Sequence, residues 1–159
     1  MGKFIIASLV MGVAATALLD IWAILLNRIF GFATPNWTFG GRWFGHVARG
    51  QFLHEDISRS AAIPNELALG WIGHYAIGIL FAVVTVLIGG EAWLKAPTLL
   101  LPMVVGLVTV GCGWFLMQPG MGAGIAASKK PDAARIRMLN IAGHIVFGLG
   151  LYGAARLIA

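Results

Sequence analysis

Charge and cysteine are both scarce in this chain. Only 11% of its 159 residues are Asp, Glu, Lys or Arg, and only six residues are acidic. A soluble domain carries about 25% charged residues. A chain that is 59% hydrophobic, with a mean hydropathy of +0.87, does not have enough polar side chains to cover a water-facing globule. The same scarcity excludes disorder, which requires low hydrophobicity and high charge. The single cysteine, Cys112, excludes a disulfide framework within the chain and a multi-cysteine zinc ribbon. As a lone cysteine within an apolar span it reads as a small packing residue. No Gly-x-Ser-x-Gly elbow frames Ser128, so hydrolase chemistry has no support. No His-Glu-x-x-His pattern is present either.

The net charge of +5 does not point to nucleic acid. The basic residues lie mostly between apolar stretches and form no run interleaved with aromatics. In such positions they orient a chain in a bilayer and meet anionic lipid head groups. The lipid bilayer and those head groups are the expected partners, with a homo-oligomer or larger membrane complex as further assembly.

A spanning helix needs about 20 mostly apolar residues. The expected fold is all-α: a polytopic four-transmembrane-helix bundle in one domain, 1–159, with spans at about 4–30, 66–88, 98–118 and 134–158. The first begins like a signal peptide, with Lys3 and an apolar run, but continues through Ile24-Leu25-Leu26 and reads as a retained helix. The long loops are 31–65 and 119–133. The first holds Pro35, Pro64 and five glycines, and is expected to carry a short interfacial helix around Trp43 to Ile57. Gly89-Gly90-Glu91 reads as the turn between the second and third spans, and Pro119-Gly120 as the end of the third.

Arg28, Arg42, Arg49, Arg59, Lys129, Lys130, Arg135 and Arg137 lie on the side of the two long loops, against Lys3, Lys95 and Arg156 on the other. The positive-inside rule puts both loops in the cytoplasm and both termini outside.

Gly73-His74-Tyr75-Ala76-Ile77-Gly78 in the second span resembles Gly143-His144-Ile145-Val146-Phe147-Gly148 in the fourth, and Asp20-Ile21-Trp22 matches Cys112-Gly113-Trp114 more weakly. Two parallel helical-hairpin repeats would leave this pattern. Chance would also, in a chain with 22 glycines. At the helical rise, His74 lies ~12 Å from Glu66, His144 ~15 Å from Ala134 and Asp20 ~15 Å from Phe30. Ionisable groups at such depth are costly and mark function by default.

Asp20 is therefore the candidate acid or base. His74 and His144 are the candidate ligands of a divalent transition metal or a haem, imidazole being suited to both. Their bland alternative is a single hydrogen bond to a neighbouring helix. Loop one offers a second metal pair, His46 and His54, eight residues apart and so on one helical face, with Asp56 and Glu66 as possible helpers. Gln118, Gly120, Gly122 and Gly124 form a Gly-rich turn whose N–H groups, followed by Lys129 and Lys130, suit an anion or lipid head group, with Arg42 as a further contact. The turn is neither a P-loop nor, without a soluble strand before it, a dinucleotide fingerprint.

Asp20-Ile21-Trp22, Gly41-Arg42-Trp43-x-Gly45-His46, Gly73-His74-Tyr75-x-x-Gly78 and Met117-Gln118-Pro119-Gly120-Met121-Gly122-x-Gly124 together resemble one family over essentially the whole chain. It comprises small bacterial inner-membrane proteins grouped as domain-of-unknown-function family twenty-nine thirty-eight. The resemblance implies a multi-pass protein of the bacterial cytoplasmic membrane with about four spans, and no activity.

Four functions follow from the residues. The first is an intramembrane polar site of Asp20, His74 and His144 that binds a cofactor, metal or small hydrophobic ligand. The second is an enzyme acting on a lipid or quinone-like substrate, and the third a proton-coupled transporter or channel subunit. The fourth is an accessory whose buried polar groups only fix helix register.

Overall fold

The computed structural model describes residues 2–159 and contains no strand among them. Five helices carry the fold: α1 (Gly2–Phe30), α2 (Trp37–Val47), α3 (Glu66–Lys95), α4 (Leu100–Gly120) and α5 (Ala133–Ile158). All except α2 are long and apolar enough to cross a membrane. Their outer faces are apolar too: Leu87, Leu100 and Val108 are more than 70% exposed. With no water-facing polar side on these helices, the architecture is that of a multi-pass membrane protein.

Several boundaries differ from the expected ones. The helix of loop one starts at Trp37 rather than Trp43, because the Asn36 side chain accepts the Thr38 N–H at 3.0 Å and caps it. It ends at Val47, ahead of Gly50 at φ 85°. A short 3-10 turn, Ile57–Arg59, follows under an Asp56 cap. At Gly89-Gly90 the helix breaks as expected: Gly90 takes φ 67° and ψ −171°, a conformation essentially reserved for glycine, and a further helical stretch then runs on to Lys95. α4 ends in a π-helical turn, Gly113–Met117, followed by Gln118–Gly120.

Contacts group the chain into two compact units, with α3, α4 and α5 each passing through both. One unit takes the residues up to Thr34, Tyr75–Thr109 and Ile141–Ala159. Its core joins Ala7, Met11 and Ala15 of α1 to Ala82 and Val86 of α3 and Phe147 and Leu151 of α5. Small residues make these helices meet. A methyl group at Gly12 would touch the backbone of Ile79, one at Gly106 the His144 carbonyl, and one at Gly150 the Cα of Ala15. Lipid gives helices little hydrophobic reason to associate, so close backbone approach through small residues supplies the packing energy.

The other unit takes Pro35–His74 and Val110–Asn140. Here α2 lies against the first turns of α3. Gly41 abuts the Glu66 carbonyl and the Gly70 N–H, and Gly73 abuts the Phe44 ring. Two backbone hydrogen bonds, His54 N to Gly120 O at 2.9 Å and Ile57 N to Met121 O at 3.1 Å, fasten loop one to the turn after α4.

Candidate functional site

In the first unit, Tyr75 of α3 donates its hydroxyl to Asp20 Oδ2 of α1 at 3.0 Å. Asp20 shares its helix face with Thr16, one turn away, whose hydroxyl bonds Gly12 O at 2.7 Å beside Gly78. Tyr75 stood in the quoted motif without being singled out. Its place beside His74 is the only sequence signal that it faces a carboxylate. On another face of α1, Leu19 meets Gly143 of α5. Trp22 follows Ala15 and Leu19 along that stripe, and its indole Nε1 is buried with no hydrogen-bond partner. His144, next to Gly143, turns to α4: its Nδ1 is 2.9 Å from Gly106 O and 3.1 Å from Thr109 Oγ1. A carbonyl only accepts, so Nδ1 carries the proton.

In the second unit, Arg42 is wholly engaged by the protein. Nε and Nη2 donate to the two oxygens of Glu66, and Nη1 to the carbonyls of Ile57, Ser58 and Ser60 at 3.1–3.2 Å. The Glu66 carboxylate holds the guanidinium pKa above its usual value. Asp56 caps its turn by accepting the Ser58 hydroxyl at 2.7 Å and the Ser58 N–H at 2.9 Å. Those bonds, the hydroxyl first, hold its pKa below the usual carboxylate value. Asp56 and Glu66 therefore have tasks other than helping a metal, and among the described residues no three His, Cys, Asp or Glu side chains gather into a metal-holding group.

His74 stacks on Trp37, ring centroids 3.9 Å apart and planes 25° from parallel. His74 and His144 thus fall in different units, each with partners in its own. His46 and His54 share a unit. They reach each other differently from the helical spacing expected of them. His46 lies on α2, the chain turns back after Val47, and His54 arrives on the returning strand of loop with its ring centroid 5.0 Å from that of His46.

The Gly-rich turn is a strained structure. Beyond Gly122 and Gly124, both at positive φ, Ala126 and Ala127 are left-handed at φ 48° and 57°. For alanine that conformation costs roughly 1–2 kcal/mol. Arg137 Nε secures the Ala126 carbonyl at 2.8 Å. The N–H groups of Met121, Gly122 and Ala123 are used by the carbonyls of Met117, Pro119 and Gln118 in the same turn. Asn140 Oδ1, which sequence reasoning passed over, accepts both Trp114 Nε1 at 3.0 Å and Gln118 Nε2 at 2.9 Å. Gln118 Oε1 is left buried without a partner. π-turns, left-handed alanines and orphaned polar atoms collect at functional places more often than elsewhere.

Among known proteins, the model of a family described as "protein of unknown function (DUF2938)" matches residues 9–158. No curated protein and no solved structure matches the chain.

Proposed function

The chain belongs to the DUF2938 family, and because that family brings no activity with it, we propose from the chain's own residues that it binds a small apolar ligand beside Asp20 in the bacterial inner membrane. Both long loops then lie in the cytoplasm. The Tyr75–Asp20 hydrogen bond between two spanning helices carries the reading. On insertion scales a charged residue at the centre of a spanning helix costs about 2.5–3.5 kcal/mol, so a carboxylate is kept there for a task. A carboxyl joined to a phenol is a proton-exchanging pair. A carbonyl oxygen is an acceptor to which a phenol or a protonated carboxyl can donate. An apolar molecule with a carbonyl that takes up protons is of quinone type.

The test uses full-length protein in mild detergent, titrated with a short-chain ubiquinone and a short-chain naphthoquinone. Saturable binding is expected, weakened at least about tenfold, or 1.4 kcal/mol, by Asp20→Asn and by Tyr75→Phe. Trp22→Phe, on another face of α1, should leave it unchanged. The register-fixing reading is favoured by His144, whose Nδ1 is already satisfied by Gly106 O. Under it, Asp20→Asn lowers the thermal midpoint and neither quinone binds, which would end the ligand proposal.

A further inference from the structure

We propose that His46 and His54 are two ligands of an open site for a divalent first-row transition-metal ion. This is a second site, which shares no residue with the Asp20–Tyr75 pair and does not depend on it.

The hydrogen bonds fix both tautomers. His46 Nε2 lies 2.9 Å from Ala61 O, and His54 Nδ1 lies 3.1 Å from Gly120 O. Each nitrogen faces a carbonyl, so each is protonated and donating. In a neutral imidazole the other nitrogen, His46 Nδ1 or His54 Nε2, then carries the lone pair that a metal takes. Metal-ligating histidines almost always donate their second N–H to a carbonyl or carboxylate in this manner, which sets ring orientation and raises ligand basicity. Both rings already have that support.

Burial supplies a second observation. Each histidine is only 8% exposed, and His54 Nε2 is buried with no hydrogen-bond partner. An acceptor withdrawn from water and left unmatched costs about 1–3 kcal/mol, unless a cation or a donor fills the place.

Ring spacing supplies a third. With Zn–N bonds of about 2.0–2.1 Å and a centroid about 1.1 Å behind each nitrogen, two imidazoles on one tetrahedral ion have centroids about 5 Å apart. His46 and His54 stand at 5.0 Å with their planes at 67°. A linear two-coordinate ion would need centroids more than about 6 Å apart by the same arithmetic, so the spacing selects an ion with bent N–M–N geometry.

Among the described residues no third His, Cys, Asp or Glu completes the set. Neutral oxygen donors and water are left for the remaining positions. Structural zinc sites are closed by four protein ligands, whereas sites with open positions exchange their ion or act on a bound molecule. This one belongs to the open kind.

The experiment uses full-length protein in mild detergent, stripped with a chelator and titrated with Co(II) alone, then with Zn(II) as competitor. The expected result is one equivalent of Co(II) with visible bands of a low-symmetry site, displaced by Zn(II). X-ray absorption of the zinc form should give two imidazoles in the inner shell. His46→Gln and His54→Gln, checked for helix content by circular dichroism, should each weaken binding at least about tenfold. The His74→Ala/His144→Ala double variant should bind as the unaltered protein does. A shell without two imidazoles, binding that survives His46→Gln/His54→Gln, or binding lost with His74 and His144 would each overturn the assignment. X-ray absorption of the His74→Ala/His144→Ala variant, in which His46 and His54 are the only histidines left, decides the matter even if a loop variant fails to fold.

Discussion

Arg42 grips Glu66 through two parallel hydrogen bonds, Nε to Oε2 at 2.9 Å and Nη2 to Oε1 at 2.8 Å. The same guanidinium ties three carbonyls of the Ile57–Ser60 stretch with Nη1, so one side chain joins α2, the 3-10 turn and the start of α3. Arg42→Lys keeps the charge and loses the fork. In detergent its thermal midpoint should fall below that of the unaltered protein, and Arg42→Ala should fall further. An Arg42→Lys midpoint equal to that of the unaltered protein would show that charge alone matters.

Gly41 stands where no side chain fits, because a methyl group there would overlap the backbone of Glu66 and Gly70. Backbone cannot step aside as a flexible side chain does. Gly41→Ala should lose about 1–3 kcal/mol in an unfolding titration. Gly113→Ala is the control, since nothing lies within 4 Å of the added methyl group. Its stability should stay within about 1 kcal/mol of the unaltered protein.

Asn140 Oδ1 takes two donors at once, Trp114 Nε1 and Gln118 Nε2. Asn140→Ala strands both in a half-buried place, at about 1 kcal/mol for each donor left unmatched. Asn140→Asp retains an acceptor oxygen and should be the milder change. Trp114 emission reads the local loss and unfolding reads the global one. The idea fails if the alanine variant leaves both unchanged.

Asp56 gives the loop an acid limit. Its pKa in the folded chain is depressed by the Ser58 hydroxyl and N–H, so its contribution is fully present above the unfolded value, near 4. That contribution is lost as pH falls through the depressed folded value. Protease accessibility of loop one should therefore rise below about pH 4 in the unaltered protein. Asp56→Asn removes its share of this step and leaves that of the Glu66 carboxylate paired with Arg42, so a pH profile identical in both proteins would assign the step to Glu66.

The four spans were legible because a long apolar run has one stable answer in a bilayer, a helix that satisfies its own backbone. The start of α2 was legible in principle, since Asn36 stands two residues before Thr38, yet the aromatic run from Trp43 drew the boundary inward. The break at Gly90 was legible in the Gly-Gly pair, whereas the helical stretch beyond it, to Lys95, was not. A Gly-Gly pair ends or bends a helix depending on what packs beyond it, here Leu101 and Trp93 against Gly89. Nor does any residue pattern announce the π-turn at Gly113–Met117. Asp20 and the histidines stood out by cost alone. Their partners Tyr75, Thr109 and Ala61 did not, because a hydroxyl or a carbonyl is cheap at any position and only the fold says which one is used.

The clamp between loop one and the turn after α4 joins residues 66 apart, from His54 to Gly120. At synthesis rates of about 5–20 residues per second, loop one waits about 3–13 s after it is made before its partner emerges. For that interval the His54 ring has no Gly120 carbonyl to face and Gly122 no Glu55 to lie against. The third span must be threaded and its turn delivered to the same side before loop one can take its final form. The order in which the bilayer receives the helices is thus also the order in which the loop becomes a structure.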